Sequence, residues 1–264
     1  MALPFIPSDA AMLVVQAGVV AAPRVGPGLE PLRRLSGRGW ALVPLGSIVA
    51  VIFAIRYVSD TADGLTYLAL VAVPPLAAVA LSWGGRWAKA PHPRIGWLSA
   101  AIVTFLFVLA WRTPDSLAGE GAGVLLSAFS CVTLGVLLAS VTPASWLKVG
   151  IVLMAAADVW LVASDLLQAP NATLSAAAPA AGLPRLQSEV FGSVSMGYGD
   201  LFIAAVFGAV LAQDWHRQRL GAVVTLVLAG LFDLLFLVLT ELPATVPIAL
   251  ALIVTELWGR PSRT

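Results

Sequence analysis

A series of long apolar runs constrains the fold of this sequence more than any other feature. The eight longest runs lie at about Trp40–Ile55, Leu65–Trp83, Gly96–Trp111, Gly121–Val141, Leu147–Ser164, Ser193–Ala212, Leu220–Thr240 and Pro243–Trp258. A helix that spans a bilayer needs about 17–25 mostly apolar residues, because lipid cannot hydrogen-bond an open backbone. Only 11% of the residues are charged, whereas soluble domains carry about 25%. The sequence therefore excludes a water-soluble globule and predicts an all-α, polytopic bundle of membrane helices.

A ninth and weaker apolar run covers about Ala10–Ala22 and is short even when it is extended back to Phe5. A secretory signal normally begins with a basic segment, but here Asp9 comes directly before the run. We therefore expect a weak first span or a segment buried against the bundle. The prediction is nine transmembrane helices, or eight if this run does not span.

The charged residues between the runs predict the orientation in the membrane. With nine spans, twelve of the Lys and Arg residues fall on the side of the C-terminus, and only Arg56, Arg112 and Arg185 fall on the other side. Cytoplasmic loops carry such an excess, so we expect the C-terminus in the cytoplasm and the N-terminus outside. High Ala and Arg content with little Lys favours a GC-rich bacterial source, and hence the bacterial plasma membrane.

Charge and metal-ligand spacing exclude other partners. The net charge of +1 gives no electrostatic reason to expect nucleic acid. His92 and His216 lie in polar connections, the single cysteine, Cys131, lies in an apolar run, and no cluster has the spacing of metal ligands. We therefore expect no metal and no cofactor.

Three acidic residues, Asp158, Asp200 and Asp233, lie inside apolar runs. An ionisable residue within a span costs about 2.5–3.5 kcal/mol on insertion scales, which makes each a candidate functional residue. If both runs are helical, the rise of 1.5 Å per residue puts Asp158 and Asp200 about 9–10 Å below the outer boundary. Consecutive antiparallel helices pack as neighbours, so we predict that these two acids face each other. Asp233 is expected at mid-depth in the next helix, with no assigned role.

Two adjacent carboxyl groups can perform hydrolysis. Two carboxylates a few ångströms apart in a low-dielectric site cannot both ionise, so one takes up a proton. The ionised group can then deprotonate water while the protonated group polarises a carbonyl, which cleaves an amide by general acid–base catalysis. Gly197 and Gly199, which flank Tyr198, would let backbone or an extended substrate approach Asp200 closely.

The segment Gly197-Tyr198-Gly199-Asp200 matches the Gly-X-Gly-Asp motif of one family in full. In this respect the chain resembles the presenilin and signal peptide peptidase family of intramembrane aspartyl proteases. Asp158-Val159-Trp160 resembles the family's Tyr-Asp motif, with Ala157 in place of the tyrosine. Pro243-Ala244-Thr245 resembles its Pro-Ala-Leu motif, with Thr245 where leucine is expected. The resemblance covers about Leu147–Trp258.

The resemblance implies that Asp158 and Asp200 are the catalytic pair of an intramembrane endopeptidase. It implies that Pro243, Ala244 and Thr245 border the substrate cleft, and that residues 147–264 form a catalytic half beside a scaffold of residues 1–146. The predicted orientation is similar to that of signal peptide peptidase and is the reverse of presenilin's. The implied substrates are therefore transmembrane or signal-peptide-like segments in the lipid bilayer, with their N-termini in the cytoplasm.

Two other functions also use features of this sequence. An ion- or proton-coupled transporter would use buried acids, and Asp233 could be one of its sites. A potassium channel is suggested because Met196–Asp200 resembles a selectivity filter, in which backbone carbonyls replace the hydration shell of the ion. However, only about 13 residues separate Asp200 from Asp214, which is too few for the inner helix that must follow a filter.

Overall fold

The computed structural model describes residues 3–24, 29, 32, 34–44, 46–47, 49–50, 54, 61–85, 93–164, 166, 172–174, 176–177, 182–237 and 242–258. This part of the chain is mostly helical. The helices are α1 (Phe5–Ala21), α2 (Thr61–Gly85), α3 (Pro93–Arg112), α4 (Leu117–Val141), α5 (Ala144–Ala163), α6 (Tyr198–Leu211), α7 (Trp215–Phe232) and α8 (Val246–Trp258). Short 3₁₀ helices cover Arg38–Leu42 and Asp233–Leu237. Strands β1 (Ser188–Phe191) and β2 (Val194–Gly197) form an antiparallel hairpin.

Four helices in the described residues are long and apolar enough to cross a membrane. They are Thr61–Trp83, Leu117–Val141, Ala144–Ala163 and Trp215–Leu235. Shorter apolar helices cover Phe5–Ala21, Gly96–Arg112, Tyr198–Leu211 and Val246–Trp258. The length and composition of these helices are those of a membrane protein. The predicted count of nine spans is not confirmed, because residues 45, 48, 51–53 and 55 of the run Trp40–Ile55 lie outside the described residues.

Helices α4 and α6 form the centre of the bundle. Helix α4 begins at an N-cap, Ser116, whose side chain accepts a hydrogen bond from the backbone N–H of Gly119 at 3.1 Å, and this satisfies a donor that a helix start leaves unpaired. A Cβ added at Gly135 of α4 would lie 2.7 Å from the backbone carbon of Ala205 in α6. The missing side chain therefore lets the two helices pack closely, as small residues do between membrane helices. Helices α2 and α3 also pack against α4.

Helix α1 packs against α7, α6 and α4. Its buried residues include every fourth position from Ser8 to Val20, and beside them the buried face contains Leu13, Ala17 and Val19. The amide nitrogen of Gln218 in α7 donates a hydrogen bond to the carbonyl of Val20 at 3.1 Å. The weak first run is therefore a helix that is packed into the bundle.

An ion cluster joins three helices at the end of the bundle that lies away from the hairpin. The Glu256 carboxylate of α8 contacts Lys148 Nζ of α5 at 2.9 Å and Arg217 Nη2 of α7 at 2.7 Å. Asp158 follows Lys148 by ten residues on α5, which is about 15 Å along the helix. The acids of interest and the ion cluster therefore occupy different levels of the bundle.

The predicted helix from Ser193 to Ala212 is wrong in its first part, because residues 194–197 form β2 and helix α6 begins at Tyr198. The hairpin turn contains Gly192 with φ 62°, a left-handed conformation that glycine adopts without steric cost. A short apolar run alone does not distinguish a strand from a buried helix. The depth that we predicted for Asp200 assumed a continuous helix and is therefore not retained.

Candidate active site

Asp200 lies in the first turn of α6, directly after strand β2. Its Oδ2 atom accepts a hydrogen bond from the backbone N–H of Gly197, the N-cap residue, at 3.1 Å. A carboxylate is favoured at this position because the first N–H groups of a helix have no helical partner and carry partial positive charge. The junction between strand and helix therefore fixes the position of the Asp200 carboxyl group.

Asp158 of α5 is bound by the segment that precedes α8. The Thr245 hydroxyl donates a hydrogen bond to Asp158 Oδ2 at 2.6 Å, and the Thr245 backbone N–H reaches the same atom at 3.4 Å. Thr245 is buried, with only 3% of its surface exposed. Thr245 therefore supplies a hydroxyl donor that a leucine at this position would lack, a role that the sequence did not predict.

The structure brings Asp158 and Asp200 together. Helix α5 packs against α6, and α8 packs against both of them. The two carboxyl groups lie within electrostatic range of each other. Both carboxyl groups accept their hydrogen bonds through Oδ2, and within the described part of the chain no hydrogen bond involves either Oδ1 atom.

The three residues before Asp200 differ in how closely other atoms surround them. A Cβ added at Gly197 would lie 3.1 Å from Asp200 Oδ2, whereas one added at Gly199 meets no described atom within 4 Å. The Tyr198 hydroxyl is hydrogen-bonded to the Ser130 hydroxyl of α4 at 2.7 Å. Tyr198 therefore anchors α6 to α4, and open space remains beside Gly199.

Of the other predicted residues of the third motif, Ala244 contacts α1 and Pro243 is buried. Gln16 Nε2 donates to the Ala244 carbonyl at 3.4 Å, which is long for a hydrogen bond. The Pro243 carbonyl accepts from the N–H of Val246 at 3.2 Å. Gln16 was not predicted as part of the site, although an amide side chain within an apolar run is the kind of signal that could have indicated it.

Two further acids lie near functional elements. Glu189 on β1 is only 2% exposed, and the sequence analysis did not single it out. The sequence feature that could have indicated it is its position, as an acidic residue between two apolar runs and eleven residues before Asp200. Asp233 follows the last residue of α7, and its carboxyl group lies close to that of Asp9 on α1. Regular α-helix ends one residue before Asp233, which begins a 3₁₀ helix within the candidate span Trp215–Leu235.

Among the described residues, no group of three or more His, Cys, Asp and Glu side chains could hold a metal ion. The chain was compared with protein families, with curated proteins and with solved structures, and no family model, curated protein or solved structure matches it.

Proposed function

We propose that this protein is an intramembrane aspartyl protease that hydrolyses peptide bonds within transmembrane segments. The observation that carries the proposal is the convergence of Asp158 and Asp200 from two helices, with Thr245 of a third segment bound to Asp158. Two interacting acids in a mostly apolar bundle are costly for folding. General acid–base catalysis gives such a pair a function.

The reaction needs only the two carboxyl groups and water. One carboxylate accepts a proton from water as the water oxygen bonds to the peptide carbon, and the other carboxyl group donates its proton to the carbonyl oxygen. The tetrahedral diol then collapses as the first acid gives the proton that it took from water to the nitrogen, the C–N bond breaks, and a diol hydroxyl returns a proton to the second acid. The products are a new carboxyl group and a new amine, and both acids regain their starting states.

The hairpin favours an extended substrate. Strand β2 runs directly into the turn that carries Asp200, so a peptide lying along this strand would reach the carboxyl group. An unwound substrate segment can satisfy its backbone by pairing with an exposed strand edge. The space beside Gly199 is where a substrate backbone could approach.

For the membrane, we propose a bundle of nine or eight spans in the bacterial plasma membrane, with the C-terminus in the cytoplasm. Substrates would then be single-span or signal-peptide-like segments with cytoplasmic N-termini, following the positive-inside rule. A reporter fused after Thr264 tests this orientation, and its appearance outside the cell would contradict it.

The decisive experiment is peptide cleavage in liposomes that contain the purified protein. Single-span peptides with their N-termini on the cytoplasmic side are incubated with wild type, Asp158→Asn and Asp200→Asn, and the products are identified by mass spectrometry. We expect each substitution to abolish cleavage, because an acid–base group contributes about 10²–10⁴-fold. Asp63→Asn is the matched control, because Asp63 is exposed in the first turn of α2. Full activity of either site variant would contradict the proposal, as would a folded wild type that cleaves none of several peptides.

A proton-coupled transporter is the second candidate, because the carboxyl groups of Asp9 and Asp233 lie close together and the proposed hydrolysis does not use them. It predicts proton flux in the same liposomes that Asp233→Asn abolishes while peptide cleavage is absent. The potassium channel is less favoured. Tyr198, Gly199 and Asp200 form the first turn of α6, whereas a filter needs an extended, carbonyl-lined backbone.

A further inference from the structure

Glu189 is a buried acid that the proposed hydrolysis leaves without a role. Only 2% of its surface is exposed, and in the described part of the chain neither carboxyl oxygen has a hydrogen-bond partner. Buried carboxyl groups are normally hydrogen-bonded, because an unpaired charge in a low-dielectric interior is strongly unfavourable. A buried carboxyl group without partners is therefore expected to be neutral.

The surroundings of Glu189 contain acids and neutral donors. Its carboxyl group faces the Ser127 hydroxyl of α4, although the two do not form a well-aligned hydrogen bond. The titratable groups that interact with it are the Cys131 thiol of α4 and, from α6, the Tyr198 phenol and the Asp200 carboxyl group. Helix α1 also touches β1, and near the hairpin it presents the uncharged Ser8 to the turn. Ionised Glu189 would therefore add a second negative charge close to Asp200.

The strand register links Glu189 to the position of Asp200. Glu189 pairs with Met196 across the hairpin, and the next residue, Gly197, donates the backbone hydrogen bond to Asp200 Oδ2. A movement of Glu189 toward solvent would displace Met196 and Gly197 with it. The donor that orients Asp200 therefore depends on whether Glu189 stays buried.

We propose that Glu189 is a positioning residue for Asp200 that must hold its proton for the site to function, an inference that rests on the proposed protease function. Protonated Glu189 keeps β1 packed on α4 and keeps the Gly197 N–H aimed at Asp200. When the proton leaves, the new charge is repelled by Asp200 and draws the carboxyl group toward water. The hairpin end then shifts, and cleavage stops. Burial raises the pKa of the Glu189 carboxyl group to about 8, so this loss is expected under mildly alkaline conditions.

The test is the pH dependence of kcat/KM in liposomes between about pH 6 and pH 9.5. Glutamine keeps the shape of protonated glutamic acid and cannot ionise, so Glu189→Gln is expected to retain activity within about threefold at pH 7. Both proteins are expected to lose activity when Asp158 and Asp200 lose the proton that they share, but between pH 7 and pH 9.5 wild type is expected to lose at least tenfold more than Glu189→Gln. An identical alkaline loss in both proteins would overturn the proposal.

A second measurement does not depend on activity. Hydrogen exchange of residues 188–197, corrected for the intrinsic effect of pH, is expected to increase in wild type as the pH passes about 8 and to stay constant in Glu189→Gln. The matched control is Glu120→Gln, because Glu120 Oε2 accepts from the Gly192 N–H of the same hairpin at 2.7 Å, and glutamine can accept the same bond. This control is expected to keep the wild-type transition.

The two measurements separate the two proposals. If wild type cleaves no peptide but shows the exchange transition, the protease function is refuted, and the proposal that buried Glu189 is protonated still holds. A wild type with no exchange transition between pH 6 and pH 9.5 would overturn the role of Glu189, even if peptides are cleaved and even if Glu189→Gln cannot be folded.

Discussion

Thr245→Val removes one hydroxyl group from the site and leaves the shape of the side chain almost unchanged. In the wild type this hydroxyl donates to Asp158 Oδ2 at 2.6 Å, whereas the backbone N–H that would remain lies at 3.4 Å. A hydrogen bond to a charged group contributes about 1.5–3 kcal/mol, and each 1.4 kcal/mol is about tenfold in rate. We therefore expect kcat/KM to fall by about 10- to 150-fold.

The assay is initial-rate cleavage of a fluorogenic transmembrane peptide in liposomes, with kcat and KM determined separately. Thr245 acts through Asp158 and not by binding substrate, so most of the loss is expected in kcat. Thr245→Ser is the matched control, because it keeps the hydroxyl and is expected to retain activity within about threefold. If Thr245→Val is folded and as active as the control, the bond to Asp158 has no part in catalysis and the reasoning is wrong.

Three further predictions concern space and charge. Gly199→Ala is expected to keep the thermal stability of the protein and to reduce cleavage. The added methyl group meets no described atom within 4 Å but would contact an approaching substrate. A loss of thermal stability as large as the loss of cleavage would refute this. Gly135→Ala is expected to lower the free energy of unfolding by about 1–3 kcal/mol, because its Cβ would lie 2.7 Å from the backbone of Ala205. Gly123→Ala is the control in the same thermal-unfolding assay. It is expected to have little effect, because the nearest side-chain atom to its Cβ would lie 3.9 Å away. Because the pKa of Glu189 is raised from 4.5 to about 8, the folded state holds a proton that the unfolded state releases, so the free energy of unfolding is expected to fall by up to about 1.4 kcal/mol per pH unit across that window. Glu189→Gln should reduce the slope of unfolding free energy against pH by this amount, in denaturation measured from pH 5 to pH 9, and leave the contribution of the other acids in place.

The positions of the helices were largely predictable because a bilayer imposes a minimum length on an apolar run. The runs beginning at Leu65, Gly96, Gly121 and Leu147 each correspond to one helix, α2 to α5. The contact between the helices that carry Asp158 and Asp200 followed from the packing of consecutive antiparallel helices. Both results rest on hydropathy and chain order, which the sequence states directly.

The details around the two acids depend on tertiary contacts that hydropathy does not encode. The residues from Ser188 to Gly197 form a hairpin that packs against α4 and α1, whereas the apolar run from Ser193 onward, taken alone, also suited a helix. The sequence analysis compared Thr245 only with the leucine of the motif that it resembles. The hydrogen bond from its hydroxyl to Asp158 could not be predicted without the fold. The burial of Glu189 depends on β1 packing on α4, so an acidic residue in a connection gave no sign of it.

Helix α1 connects the two segments that hold the acids, although it is the farthest from them in sequence. Ser8 accepts a hydrogen bond from the Ser193 N–H of the hairpin turn at 3.3 Å, and Gln16 donates to Ala244 beside Thr245 at 3.4 Å. Ser8 and Gln16 lie on one buried face and are eight residues apart, a separation of about 12 Å on a helix. Helix α1 therefore sets the distance between the hairpin that orients Asp200 and the segment that binds Asp158. Neither bond is strong by itself, but together with the buried contacts of Met12 and Val20 they make the relative position of the two carboxyl groups a property of the whole bundle.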